Sequence, residues 1–295
     1  MSDINSIKNR INSVKSTKKI TGAMYLISSA KIQRAKERLS GTRPFFEALK
    51  GEVRRIFIQQ DDIRSVYFGK KKGKRAFILI TADKGLAGAF NKNVLRTFEN
   101  ERKKDKDIVV YVVGEAGIRY LKNRKIDVRK CFKVNSVPSL KQARNICTVI
   151  LEDYLSGETG ELRLLYNDAK SDMVNVVENV RLLPLDRDEF IENGVSGKKS
   201  HLDFAQRPEA ILANMMPRYI TGCLYGALTD SYCAEQNARM AAMKAANDSA
   251  DDLLSELKIN YNRARQGAIT QEITEIAAGA RAQKLNRKKK KGEEN

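Results

Sequence analysis

The sequence predicts an α/β protein in which long helices at the two ends of the chain pair as an antiparallel coiled coil around a small parallel-sheet α/β domain. Three observations carry this. Apolar residues near both termini recur at alternating steps of three and four, while the middle of the chain alternates strand-length apolar runs with helical stretches. There is no Trp and there are only 5 Pro in 295 residues, so long stretches lack a strong helix breaker. Charged residues reach 31%, a share that suits exposed helices better than a compact all-β body.

The N-terminal helix is expected over residues 1–60. Ile4, Ile7, Ile11, Val14, Lys18, Thr21, Tyr25, Ser28, Ile32, Ala35 and Leu39 form one heptad-like seam. Its ends are apolar and its middle is polar or small. Pro44 falls inside the pattern and is expected to kink or loosen the helix. The seam resumes at Phe46, Leu49, Val53 and Ile56.

A basic linker, Lys70 to Arg75, precedes the α/β domain, placed at 74–190. Ala76–Thr81 reads as a strand, Ala82–Gly88 as a loop and Ala89–Arg102 as a helix. Asp107–Val113 is a second strand, Glu115–Lys125 a helix and Ile126–Val134 an extended stretch. Ser139–Leu155 reads as a helix and Glu161–Asn167 as a strand. The alternation is that of a Rossmann-like parallel sheet. A last extended stretch, Asn175–Leu185, follows without an intervening helix.

After a polar loop at 192–197, the C-terminal helix is expected over 207–284, with Pro208 in its first turn and Pro217 disturbing its start. Met240, Met243, Asn247, Ala250, Leu254, Leu257, Tyr261, Ala264 and Ala268 again alternate three and four. Such a helix is roughly 110 Å long at ~1.5 Å per residue, too long for a compact domain to hide. Its end, Ala264 to Ala280, is expected to outrun its partner helix and to need another protein around it. Residues 285–295, with Arg287 and Lys288–Lys291, read as a disordered basic tail.

The net charge of +19 attracts anionic partners in general: nucleic acid, anionic lipid or acidic protein. Cys131, Cys147, Cys223 and Cys233 form no C-x-x-C pair, and His201 is the one histidine, so zinc binding is not expected. A reduced compartment fits the cysteines. The N-terminus shows no signal-peptide pattern, and no stretch of ~18 apolar residues spans a membrane. Gly85-Leu86-Ala87-Gly88 sits between a strand and a helix, where phosphate loops occur, yet it matches neither G-x-G-x-x-G nor the P-loop pattern. Asp83 and Lys84 are read as helix-entry or ion-pair residues rather than an acid/base pair, and no triad is recognisable. No catalytic residue, cofactor or metal site is assigned.

Ile11-Asn12-Ser13-Val14-Lys15-Ser16-Thr17-Lys18-Lys19-Ile20-Thr21-Gly22-Ala23-Met24 is the first of four motifs in order along the chain, and it resembles the N-terminal signature of the F-type ATP synthase γ subunit family. The run from Thr81 to Asn91 is similar to its S-T-D-x-G-L-C-G-x-x-N loop, with Ala87 in place of the Cys. Glu235 to Ala246 is similar to its E-x-x-A-R-M-x-A-M-x-x-A region, and Tyr261 to Ile276 to its closing segment. The resemblance implies a non-catalytic rotor. Its shaft turns inside a ring of α and β subunits, and its α/β domain sits against the ε subunit and the membrane c-ring. Ion-driven rotation is thereby coupled to the β catalytic sites that make or hydrolyse ATP. It implies contacts with the β subunit through Lys19 and Met24 on the first helix and Arg265, Gln266, Thr270 and Glu272 on the last. It implies no nucleic acid, and contact with the membrane only through the complex. With no targeting peptide visible, the expected place is the cytoplasmic side of a bacterial membrane. No close Cys pair lies between Leu185 and Pro208, so the dithiol switch of chloroplast relatives is not expected. The alternative reading is a basic coiled-coil protein that binds nucleic acid.

Overall fold

A computed structural model describes residues 2–59, 65–69, 71–134, 137–169, 176–187, 190 and 207–292, the side chains of 2–3, 59 and 284–292 excepted. His201 and the polar loop at 192–197 lie outside the described residues. The elements run in the order α1 (Ser2–Gln59), β1 (Lys74–Ile80), α2 (Phe90–Lys104), β2 (Ile108–Val113) and α3 (Glu115–Asn123). They continue with β3 (Lys130–Phe132), α4 (Leu140–Leu155), β4 (Thr159–Asp168), β5 (Val176–Leu183) and α5 (Pro208–Gly292). The chain divides into two compact units, residues 26–242 and residues 1–25 with 243–295.

In the larger unit the sheet has the strand order β3-β2-β1-β4-β5. Four strands are parallel, each crossover being made by a helix, as the alternating pattern requires. β5 pairs antiparallel with β4. Seven residues separate the two strands in sequence, fewer than the dozen or more that a parallel crossover needs. β3 is shorter than the extended stretch foreseen from Ile126 to Val134. Its residues are largely exposed and it pairs on one side alone, with β2.

The central strand β1 is buried on both faces, which is why it reads as a nearly unbroken apolar run. Ala76, Ile78 and Ile80 point into one core, shared with Ile146, Ile150 and Tyr154 of α4. Val53, Ile56 and Phe57 of α1 and Leu212, Met216, Ile220 and Leu224 of α5 belong to the same core. Phe77 and Leu79 point the other way, against Val94 and Phe98 of α2 and Leu121 of α3. Ser139 caps α4 with a complete capping box: its side chain accepts from the Gln142 backbone N–H while Gln142 reaches back to the Ser139 N–H.

α1 continues through Pro44 and α5 through Pro217, so neither proline ends its helix. The Pro217 carbonyl accepts from Thr221 Oγ1 at 2.7 Å and from Cys147 Sγ at 3.6 Å, and the surrounding core holds the turn. Gly222 of α5 receives the ring of Phe46 directly, since a Cβ there would lie 2.2 Å from Phe46 Cδ1.

In the smaller unit, α1 and α5 run antiparallel: Lys18 pairs with Asp251, and Thr21 donates to Asn247. The heptad positions foreseen on α1 from Ile4 to Thr21 are half-buried, while most residues between them are exposed. On α5 Met243, Ala250, Leu254 and Leu257 are buried, and Tyr261, Ala264 and Ala268 half-buried. Residues 271–283 are all exposed. The helical backbone continues to Gly292, past the boundary near 284 and into the stretch expected to be disordered. Ala, Arg, Gln, Lys and Leu from 280 onward are good helix formers with no proline among them.

Candidate functional site

The loop after β1 lies where strand order reverses between β1 and β4, the place at which open α/β sheets bind ligands. Here its polar groups are spent on the fold. Thr81 Oγ1 accepts from the Gly117 N–H at 3.0 Å and donates to the Val113 carbonyl at 2.8 Å. Asp83 Oδ1 accepts from the Glu115 N–H at 3.0 Å, and the Ala82 carbonyl accepts from the Ala116 N–H at 3.0 Å. The free N–H groups at the start of α3 are thus capped by the loop. Asn91 Oδ1 accepts from the Ala82 N–H at 2.9 Å. Gly114 and Gly117 make room for this clasp: a Cβ on Gly114 would lie 2.1 Å from the Thr81 carbonyl oxygen, and one on Gly117 2.8 Å from Thr81 Oγ1. The Thr-x-Asp and Asn elements of the loop motif are therefore clasp residues. Asp83 caps the start of α3 rather than α2, the helix its own loop leads into.

Helix α5 closes the same place from the other side. Ala234 and Ala238 pack with Ala82, Ala87 and Phe90. Arg239 Nη2 donates to the Gly85 carbonyl at 3.2 Å and bonds Glu235 at 2.6 Å. The Glu235 and Arg239 side chains are only 13% and 8% exposed. Burial raises the Glu235 pKa, the Arg239 guanidinium pulls it back, and the Asp83 carboxylate adds to the rise. This pair was not singled out from sequence. Its signal is the i, i+4 spacing of Glu235 and Arg239, which puts them on one side of the helix. Beyond the pair, the tip of the loop is exposed, with Leu86 held at φ 64°.

The six expected contact residues all lie in the smaller unit. Lys19 is exposed beside a groove of about 590 Å³ lined with Asn12, Lys15, Ser16, Lys18 and Leu254. Met24 is half-buried. Arg265, Gln266, Thr270 and Glu272 are exposed on α5. Thr270 Oγ1 turns back onto the Gln266 carbonyl at 2.9 Å. Arg265 is two heptads beyond Asp251, about 21 Å at ~1.5 Å per residue, so the structure forms two separate groups rather than one site. Ile269, Ile273 and Ile276 add an apolar stripe to the second group, exposed by 48%, 62% and 67%. Among the described residues no three His, Cys, Asp or Glu side chains gather so as to hold a metal ion, and no helix is long and apolar enough to cross a membrane.

The ATP synthase family profile matches residues 3–283. The chain is 34% identical over 289 residues to the ATP synthase gamma chain of Lachnoclostridium phytofermentans, covering 96% of this chain and 99% of that one. It is 32% identical over 297 residues to the sodium ion specific ATP synthase gamma chain of Acetobacterium woodii, covering 95% and 98%. Its fold is similar to that of a chain in the Euglena gracilis mitochondrial ATP synthase, in a structure of OSCP, F1 and c-ring. The TM-score is 0.68 at 14% identity, over 97% of this chain and 96% of that one. None of these comparisons supports a nucleic-acid-binding coiled coil. With matches that span nearly its whole length, and a helix end exposed among the described residues, the chain belongs to the ATP synthase gamma-chain family.

Proposed function

We propose that this chain is the central-stalk rotor subunit of a rotary ATP synthase, coupling ion-driven turning of the membrane c-ring to conformational change at β-subunit catalytic sites. The observation that carries the reading is the end of α5. Its residues from 271 to 283 are all exposed, and Ile269, Ile273 and Ile276 form a stripe at steps of four and three. An apolar stripe on an unpaired helix is covered in use. A surrounding ring of α and β subunits supplies that cover.

Within this reading the chain performs no chemistry itself. Arg265, Gln266, Thr270 and Glu272 meet β loops near the free end of α5, and Lys19 and Met24 meet β further along. Exposed polar side chains suit contacts that must be made and released at each third of a turn. Charge-assisted hydrogen bonds of roughly 1.5–3 kcal/mol each hold an angular state without locking it. The α/β unit carries the contacts to the ε subunit and c-ring. The complex sits on the cytoplasmic side of a bacterial membrane, reached only through its membrane sector.

The test is co-expression with the organism's own α and β subunits, with and without Arg265→Ala/Gln266→Ala. One copy of this chain per three αβ pairs, with ATP hydrolysis falling in the double variant while assembly holds, is the expected result. Assembly with unchanged hydrolysis removes the contact assignment and leaves the rotor reading. Failure of either version to join well-folded α and β subunits overturns the rotor reading.

A further inference from the structure

The family profile ends at residue 283, yet the backbone of α5 stays helical to Gly292. Between Glu275 and Glu293 the chain carries Arg281, Lys284, Arg287 and Lys288–Lys291 and no acid. The negative end of the helix dipole favours cations in the last turn. Lys284, Arg287 and Lys288 precede that turn. Lys284 stands three and four residues before the other two, the spacing at which like charges repel along a helix. An acidic surface outside the helix relieves that repulsion.

The cations are arranged differently from the apolar stripe before them. Ile269, Ile273 and Ile276 follow steps of four and three and share one side of the helix. Arg287 to Lys291 are consecutive. Each is turned by about 100° from the one before, at ~3.6 residues per turn, so together they occupy every side. The stripe has a facing side, whereas the run of cations is a collar with none. It begins about 16 Å beyond Ile276 at ~1.5 Å per residue.

We propose that residues 287–291 form a cationic collar that docks against acidic side chains of the surrounding α and β subunits, centring the free end of α5 without selecting an angle. The partner's identity rests on the rotor reading and on continuity: the collar extends the same exposed helix end whose apolar stripe the ring covers. A closed ring repeats each acidic position around its axis, so a collar meets every copy alike. Lysine suits such a contact. Its ammonium is a point charge on a flexible stem, whereas the planar fork of arginine demands a fixed geometry.

The test uses the complex co-expressed with α and β subunits. Zero-length carbodiimide cross-linking, read by mass spectrometry, should join Lys288–Lys291 to Asp or Glu side chains of α or β. Glutamine removes the charge and keeps a good helix former. Lys288→Gln/Lys289→Gln/Lys290→Gln/Lys291→Gln should abolish those cross-links and speed release of the chain from the complex at low salt roughly tenfold. The four single glutamine variants should each speed release by a similar factor, about twofold, because no side of the helix is favoured. Faster release in only one or two of them overturns the collar. A complex that forms without tail cross-links to α or β overturns the proposal alone. If such a complex binds phosphatidylglycerol vesicles and the quadruple variant does not, the tail belongs to a membrane surface instead. Failure of the parent chain to join α and β removes the rotor reading and the collar together.

Discussion

Gly222 and Gly226 lie one helical turn apart on α5, yet their surroundings are opposite. A Cβ on Gly222 would fall 2.2 Å from Phe46 Cδ1 and 2.4 Å from Cε1, whereas a Cβ on Gly226 meets nothing within 4 Å. Replacing glycine by alanine inside a helix gains about 0.8–1 kcal/mol. At Gly226 most of that gain should survive, and Gly226→Ala should stabilise by about 0.5–1 kcal/mol. At Gly222 the same gain is opposed by an overpacking cost of about 1–3 kcal/mol, because the Phe46 ring must leave its seat. Gly222→Ala should therefore range from nearly neutral to about 2 kcal/mol less stable. Urea unfolding of the full chain, followed by circular dichroism at constant slope, measures both. Removing the ring isolates the steric part: in the cycle of Gly222→Ala with Phe46→Ala, the coupling should equal the overpacking cost of about 1–3 kcal/mol. If Gly222→Ala stabilises as much as Gly226→Ala, and the cycle shows no coupling, the direct packing of Phe46 on Gly222 is refuted.

Arg239→Ala leaves Glu235 buried without its partner and should cost about 3 kcal/mol in urea unfolding, with faster amide exchange at Leu86 and Ala87; unchanged exchange there argues against the bond to Gly85. Hydrogen bonds from Arg129, and then from Tyr111, hold the Asp153 carboxyl below the usual carboxylate range. That stabilisation is present above the ordinary value near ~4 and is lost as pH falls through the lower folded value. Urea midpoints of wild type and Arg129→Gln should thus differ at pH 7 and converge toward pH 3, and a gap that widens in acid contradicts the assignment. Burial pushes the Cys147 and Cys233 thiols up to about 11, and Cys131 is exposed. Brief alkylation at pH 8 read by mass spectrometry should modify Cys131 and spare Cys147 and Cys233 until urea unfolds the chain; early loss of either buried thiol would count against their burial.

The heptad seams were legible because period and burial are tied by helix geometry. A residue recurring every 3.5 positions faces one side, and Ile4 through Leu39 and Met243 through Ala268 are the less exposed positions of their helices. Alternating strand and helix runs were legible for a similar reason, since a strand buried on both faces must be apolar throughout, as Ala76–Ile80 is. The contact residues Lys19, Met24, Arg265, Gln266, Thr270 and Glu272 were reached only through resemblance. Exposed polar side chains on a helix leave no periodic mark that separates an interface from a solvated face.

By itself, then, the sequence determined the element order, the two paired helices and the family, because these follow from local period and from motifs contiguous in the chain. Tertiary structure alone decided which residues meet across it. Asp83 became a cap for α3, Arg239 a bond to Gly85, β5 an antiparallel edge, and Lys18 the partner of Asp251. Each of these joins groups far apart in sequence, or sets a direction that local propensity does not encode. Their pairing is set by how buried surfaces fit together, and no period along a single chain carries that information.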